Sequence, residues 1–255
     1  MDWFVTTSLG VEDITAGEVE ELVGSLTSVD VGKVFFKAPL EAMYLINYSA
    51  RTVNRLYLLL IRDYFEDLND IYRIAKNVDY TTVITPDKSF AVRCERIGNH
   101  LFTSVDVARV VGQAVIDSFM GSRGVRLRVN LDEPDVEVGV FVRFNEVLIG
   151  VNTTGESLHR RRYRVYNHPA ALKTTLAASM LRLGNYFGQP LLDPLCGGGT
   201  IPIEAAHKVR KYPIILFRKD YYFVKLPIHD VGVDNERQTP PLEGLFPLTG
   251  LVRVG

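Results

Sequence analysis

The residues best suited to chemistry are concentrated in Leu191–Ala206, LLDPLCGGGTIPIEAA. Leu191 and Leu192 suit the end of a buried parallel strand. That places Asp193 at a strand's carboxyl end, where open α/β sheets bind ligands. Gly197, Gly198 and Gly199 have no Cβ, so a ligand can approach their backbone closely. Thr200 is expected to cap the next helix, and Pro202 falls in its first turn, where a missing N–H costs little. Glu204, near that N-terminus, is favoured by the helix dipole.

Two common ligands do not fit this pattern. A P-loop has Lys after its last glycine, and this chain has Thr200; the dinucleotide fingerprint needs Gly at position 202, which is Pro. An acid at the strand end also repels a pyrophosphate. An acid beside exposed N–H groups suits a zwitterion with an ammonium group, such as the methionyl end of S-adenosylmethionine. The competing reading is a glycine-rich turn with no ligand. Cys196 lies inside the turn and is expected to pack as a small apolar residue, not to act as a nucleophile. No Cys/His cluster has metal-ligand spacing.

A second constellation lies upstream. His159, Arg160, Arg161, Arg162 and Arg164 crowd six positions, with Tyr163 and Tyr166 interleaved. Arginines bridge phosphates and aromatic rings stack on exposed bases, so the segment fits RNA. It equally fits a solvated linker whose cations pair with nearby acids. Further Arg93 and Arg96 flank one predicted strand, and Arg126 and Arg128 another. They suit either a basic RNA-binding face or ordinary exposed strand faces.

The elements that must position these groups alternate along the chain. Trp3–Ser8 and Gly32–Lys37 read as strands, and Val11–Val23, with Asp13 or Thr15 as cap, reads as a helix. Pro39 opens another helix. This order suggests a small α/β sandwich. Asp67–Lys76 and Thr103–Phe119 read as helices. Ser89–Gly98, Val125–Asp132 and Glu137–Gly155 read as strands, the last with a tight turn at Asn145–Glu146. Gly155–Pro169 reads as a linker and Ala170–Leu183 as a helix. Val231–Gln238 offers a further strand or a surface loop.

Length and composition bound these readings. The 255 residues suit one large domain or two to three small ones, and 47% hydrophobic residues suffice for a buried core. A net charge of -1 argues against a polybasic coat, though not against local basic patches. Two cysteines give no disulfide framework and suit a reducing, cytoplasmic setting. The N-terminus lacks a signal-peptide pattern, and the longest apolar run, near Leu56–Ile61, is too short to span a bilayer.

LLDPLCGGGTIPIEAA and the preceding Thr154–Leu183 together resemble the THUMP-containing RNA guanine-N2 methyltransferases, most closely the tRNA branch; a ribosomal RNA branch shares the motifs. The resemblance implies an α/β architecture with an α+β N-terminal half. Residues 1–49 would be a ferredoxin-like domain, 50–155 a THUMP RNA-binding domain, and 156–255 a linker and an incomplete Rossmann-like methyltransferase domain. It implies S-adenosylmethionine as cofactor, held by His168, Pro169, Asp193, Pro194, Cys196, Gly197, Gly199 and Thr200, with Asp234 on its ribose hydroxyls, and tRNA as partner. The family's catalytic signature, Asn or Asp followed by a Pro-containing pair and an aromatic, is not found in 205–255. Without it this chain is expected to be nearly inactive. Because only about one and a half strand–helix units follow Glu156, a half sheet with an unpaired strand edge, that region is expected to be less stable than the first two domains.

Overall fold

The computed structural model describes residues 1–161, 163, 170–214, 218 and 220–238. In chain order the strands are β1 (Asp2–Thr6), β2 (Thr27–Asp30), β3 (Lys33–Lys37), β4 (Arg55–Tyr64), β5 (Ser89–Ile97), β6 (Arg128–Val129), β7 (Val136–Arg143) and β8 (Glu146–Asn152). The α-helices are α1 (Glu12–Val23), α2 (Glu41–Ser49), α3 (Leu68–Lys76), α4 (Ser104–Arg123), α5 (Thr174–Leu183), α6 (Thr200–Val209) and α7 (Val231–Gln238). The chain divides into two compact units. The terminal unit joins Trp3–Leu56 to Glu156–Tyr221 and the segment from Asp230; the middle unit joins Tyr57–Gly155 to Tyr222–His229 and the first two residues.

In the terminal unit the strand order is β2-β3-β1, with β2 antiparallel to β3. The β2–β3 turn is the two residues Val31 and Gly32, and Gly32 sits at φ 69°, where a glycine is favoured. No side chain caps α1 at Val11, contrary to the expected Asp13 or Thr15. Glu12 does related work, accepting the N–H groups of Gly10 and Gly32, each at 2.8 Å. Thr15 turns inward and bonds the Thr7 hydroxyl at 2.7 Å. Trp3 is fully buried and its indole N–H donates to the Ala38 carbonyl at 3.1 Å, which satisfies the one polar atom of a large apolar group. Helix α5 packs on α6 and on α1, and α2 packs on α7. Leu181, Tyr186 and Ala205 form a small core against which Leu191, Ile201 and Val209 pack.

In the middle unit the strand order is β4-β8-β7-β5-β6. β4–β8 and β8–β7 are antiparallel, whereas β7–β5 and β5–β6 are parallel. The apolar run at Leu56–Ile61 is thus part of strand β4. The β7–β8 turn holds Phe144 and Asn145, one residue earlier than expected, because Arg143 pairs with Glu146. Helix α4 opens with a capping box between Thr103 and Asp106. Its Val107, Val111, Ala114, Val115 and Phe119 are buried, a helical stripe facing β5 and α3. Of the strand expected over Val125–Asp132, only Arg128–Val129 pairs.

Candidate functional site

The glycine stretch forms a turn that ends in α6. Gly197 lies at φ 52° and Gly199, the N-cap position, at φ 72°, so both need the freedom of glycine. The turn is closed by the Gly199 N–H donating to the Cys196 carbonyl at 2.8 Å. A Cβ built on Gly197 or Gly198 meets nothing within 4 Å, which leaves their outer faces open to a ligand. Asp193 is half-buried, and its Oδ1 accepts the Leu195 N–H at 3.2 Å. Pro194 is exposed and Cys196 half-buried at the turn surface. Thr200 is the buried first residue of α6, not its cap. The N-terminus of α6 supplies backbone N–H groups and the positive end of a helix dipole beside the turn. Acid, open turn and helix start therefore lie on consecutive residues, a donor and acceptor set that fits an ammonium-and-carboxylate ligand.

Two strand expectations fail here. Leu191–Asp193 is not a strand, and Leu192 is exposed. A parallel strand exists only by bonding to a neighbour, and among the described residues the segment has none. Val231–Gln238 is the helix α7, not a strand. Its Asp234 is buried and accepts a very short hydrogen bond from the Tyr48 hydroxyl, so it does not face a ribose site. Just before α7, the Asp230 N–H donates to the Tyr44 hydroxyl at 2.8 Å.

The arginine-rich segment is not a solvated linker where it is described. Ser157, Leu158 and Arg161 are buried. The Arg161 side chain is 1% exposed and donates from Nε to Glu204 Oε1 at 3.3 Å, which removes it from the expected RNA-facing set. Arg160 is exposed and pairs with Glu156 at 2.8 Å. His159 is half-buried and meets the Ser157 hydroxyl at 2.7 Å; burial, then the nearby Lys173 and Arg160 charges, lowers its pKa. Helix α5 starts at Thr174, later than expected, where the Thr174 hydroxyl bonds the His159 carbonyl at 2.7 Å. Arg162, Arg164, His168 and Pro169 lie outside the described residues.

In the middle unit Arg93, Arg126 and Arg128 are exposed. Arg93 and Arg128 come from the neighbouring strands β5 and β6. Arg93 also donates to the Leu131 carbonyl and lies 3.9 Å from Glu137. Arg96 is half-buried, held by the Gly98 carbonyl at 2.8 Å and His100 at 2.9 Å, so it is less available than its neighbours. Cys94 on β5 is half-buried, and burial pushes its thiol pKa up to about 12, so it stays protonated.

Sequence reasoning missed the residues around Glu204. Its carboxylate is fully buried, and Tyr163 and Arg161 both donate to it. The only available signal was an acid inside an otherwise apolar helix start.

Comparison with known proteins bears on the fold and on the domains the chain matches. Residues 2–57 match the RlmL ferredoxin-like domain, 65–152 the THUMP domain, and 161–242 the RMKL-like methyltransferase domain. The chain therefore combines ferredoxin-like and THUMP domains with a methyltransferase fold. Among curated relatives, it is 44% identical over 231 residues to a protein of Methanocaldococcus jannaschii named tRNA (guanine(6)-N2)-methyltransferase, covering 88% of this chain and 61% of that one. It is 45% identical over 228 residues to a protein of the same name from Archaeoglobus fulgidus, covering 88% and 57%. The chain thus spans about three fifths of the length of these relatives. A solved structure described as SMU.472, a putative methyltransferase complexed with SAH, superposes with a TM-score of 0.82 at 23% identity, covering 93% of this chain and 63% of that one; the likeness is one of fold. No helix among the described residues is long and apolar enough to cross a membrane.

Proposed function

We propose that this chain forms the RNA-holding and donor-binding part of a cytoplasmic, S-adenosylmethionine-dependent enzyme that methylates the exocyclic N2 of a guanosine in tRNA, the nucleotide at position 6 being the target that its relatives' names suggest. The observation that carries the reading is the open turn of Gly197–Gly199 between Asp193 and the start of α6, inside the segment that matches a methyltransferase domain. S-adenosylmethionine, when bound, supplies a methyl group on a positively charged sulfur. Asp193 would accept hydrogen bonds from its ammonium group. The N–H groups at the start of α6 would receive its carboxylate. The absence of Cβ atoms at Gly197 and Gly198 admits the ligand to the backbone. On the middle unit, the exposed Arg93, Arg126 and Arg128 would neutralise tRNA phosphates, so that affinity falls as salt rises.

The exposed Arg93, Arg126 and Arg128 of the THUMP-matching middle unit support a second reading, an RNA-binding protein without catalysis. Calorimetry and methyl transfer separate the two. The first expectation is saturable binding of S-adenosylmethionine that Asp193→Ala weakens at least about tenfold, the worth of a charge-assisted hydrogen bond of about 1.5–3 kcal/mol. Formation of N2-methylguanosine in an unmodified tRNA supports the enzyme. Binding of tRNA with neither donor binding nor product supports the RNA-binding reading and contradicts the enzyme, and binding of neither tRNA nor donor contradicts both.

A further inference from the structure

Two chain segments far apart in sequence, at Arg51 and at Arg161–Tyr163, converge on one buried carboxylate of α6 in the terminal unit. Glu204, in the second turn of α6, accepts from the Tyr163 hydroxyl at 2.8 Å and from Arg161 Nε at 3.3 Å, both at Oε1. Its Oε2 lies 3.6 Å from Arg51 Nη1 and has no hydrogen bond among the described residues. Arg51 follows α2 and reaches the other end of the same helix. Its Nη2 donates to the His207 carbonyl at 2.9 Å and closely to that of Tyr212. Arg161 closes the circuit by donating to the Arg51 carbonyl at 2.8 Å and to that of Leu158. The peptide carrying Arg51 is itself held by Glu18 of α1, which accepts the N–H of Arg51 at 3.0 Å, and the N–H and hydroxyl of Thr52 at 2.7 and 2.6 Å. A cavity of about 20 Å³ borders Glu18, Arg51 and Glu204.

Such a cluster is a poor source of stability. Taking an ion out of water costs several kcal/mol, and apolar replacements of buried pairs are often neutral or better. What it does supply is fixed geometry, because each group accepts only a narrow set of partner positions. Here Glu204 anchors α6 about one turn beyond its N-terminus, and Arg51 anchors its carbonyl end. Both anchors refer the helix to the Trp3–Leu56 segment.

We propose that Arg51 and Glu204 are positioning residues for donor binding: the ferredoxin-like module sets the orientation of α6, and with it the Gly197–Gly199 turn. The proposal rests on the donor-binding reading above. It makes the N-terminal module part of the donor site's scaffold.

The test is calorimetry of the full chain with S-adenosylhomocysteine, well below its unfolding temperature, for the unchanged protein, Arg51→Met, Glu204→Gln and Tyr163→Phe. Circular dichroism first establishes which variants are folded. Amide exchange across Gly197–Glu204 is read in parallel. Folded Arg51→Met and Glu204→Gln are expected to bind about tenfold more weakly or worse, the loss of roughly one well-aimed charge-assisted hydrogen bond to the donor, with faster exchange in the turn. Tyr163→Phe loses one hydrogen bond and keeps the ion pairs, so it keeps the test readable if the other two fail to fold; it is expected to show the same two changes at a smaller size. Folded variants that lose only thermal stability, with unchanged affinity and unchanged exchange, overturn the proposal and leave the donor-binding reading standing. No binding to the unchanged protein overturns that reading itself, and the proposal with it.

Discussion

His207 meets the Tyr163 ring edge-on at 5.0 Å and stacks on Tyr212 at 5.4 Å. Burial pushes its pKa down from the ordinary 6.5 to about 4, and the neighbouring Glu204 only partly opposes this. The folded protein therefore keeps His207 neutral between pH 6.5 and 4, while the unfolded chain takes up a proton. Binding of protons by the unfolded state favours unfolding, so stability is lost as pH falls through that window. His207→Gln should flatten the fall in Tm between pH 6.5 and 4 relative to the unchanged protein; parallel curves would show that His207 does not contribute. At this scale the glycines of the turn were legible, because positive φ has few other solutions. The buried Glu204–Arg161 pair was not. Its partners are 43 residues apart, and nothing local distinguishes a solvated arginine from one whose acid arrives by folding.

The segment Tyr222–His229 shows what an element can owe to one glycine. It carries a short 3-10 turn, Tyr222–Lys225, and buries Phe223 and Leu226 in the middle unit. The Phe223 N–H donates to the Thr153 carbonyl at 2.9 Å, and Lys225 Nζ reaches the Pro134 carbonyl at 3.3 Å. Burying the two apolar side chains contributes about 2 kcal/mol each. Tyr222 lies across Gly155, which sits at φ 80°; a Cβ there would meet the Tyr222 ring at 2.6 Å. Gly155→Ala combines backbone strain with overpacking, each of about 1–2 kcal/mol or more. It is expected to release the segment, seen as faster amide exchange at Phe223 and Leu226 and a lower Tm. Unchanged exchange there would contradict the packing. The capped and periodic helices α3 and α4 were legible in the sequence, as was the β7–β8 hairpin. β2 escaped notice because it is four residues long with a largely exposed pattern, and α7 was misread because an alternation of Val, Gly and Asp fits a strand as well as a helix.

At the scale of the whole molecule, the order of segments in the chain is not the order of packing. Glu156–Tyr221 folds with Trp3–Leu56 in the terminal unit, whereas Tyr57–Gly155 forms most of the middle unit. The expectation of a weakly held region from Glu156 onward rested on an unpaired half-sheet edge; Arg51, Asn54 and Glu18 nonetheless bond to segments that follow Glu156. Such long-range pairing leaves no periodic trace in sequence. The central claim is that the turn between Asp193 and α6 receives the amino-acid end of a methyl donor. A crystal structure with S-adenosylhomocysteine tests it most directly. The ligand's ammonium group is expected within hydrogen-bonding distance of Asp193, and its carboxylate at the N–H groups of the Gly197–Gly199 turn and the start of α6. A ligand bound elsewhere, or a turn that stays empty at saturating concentration, would contradict it.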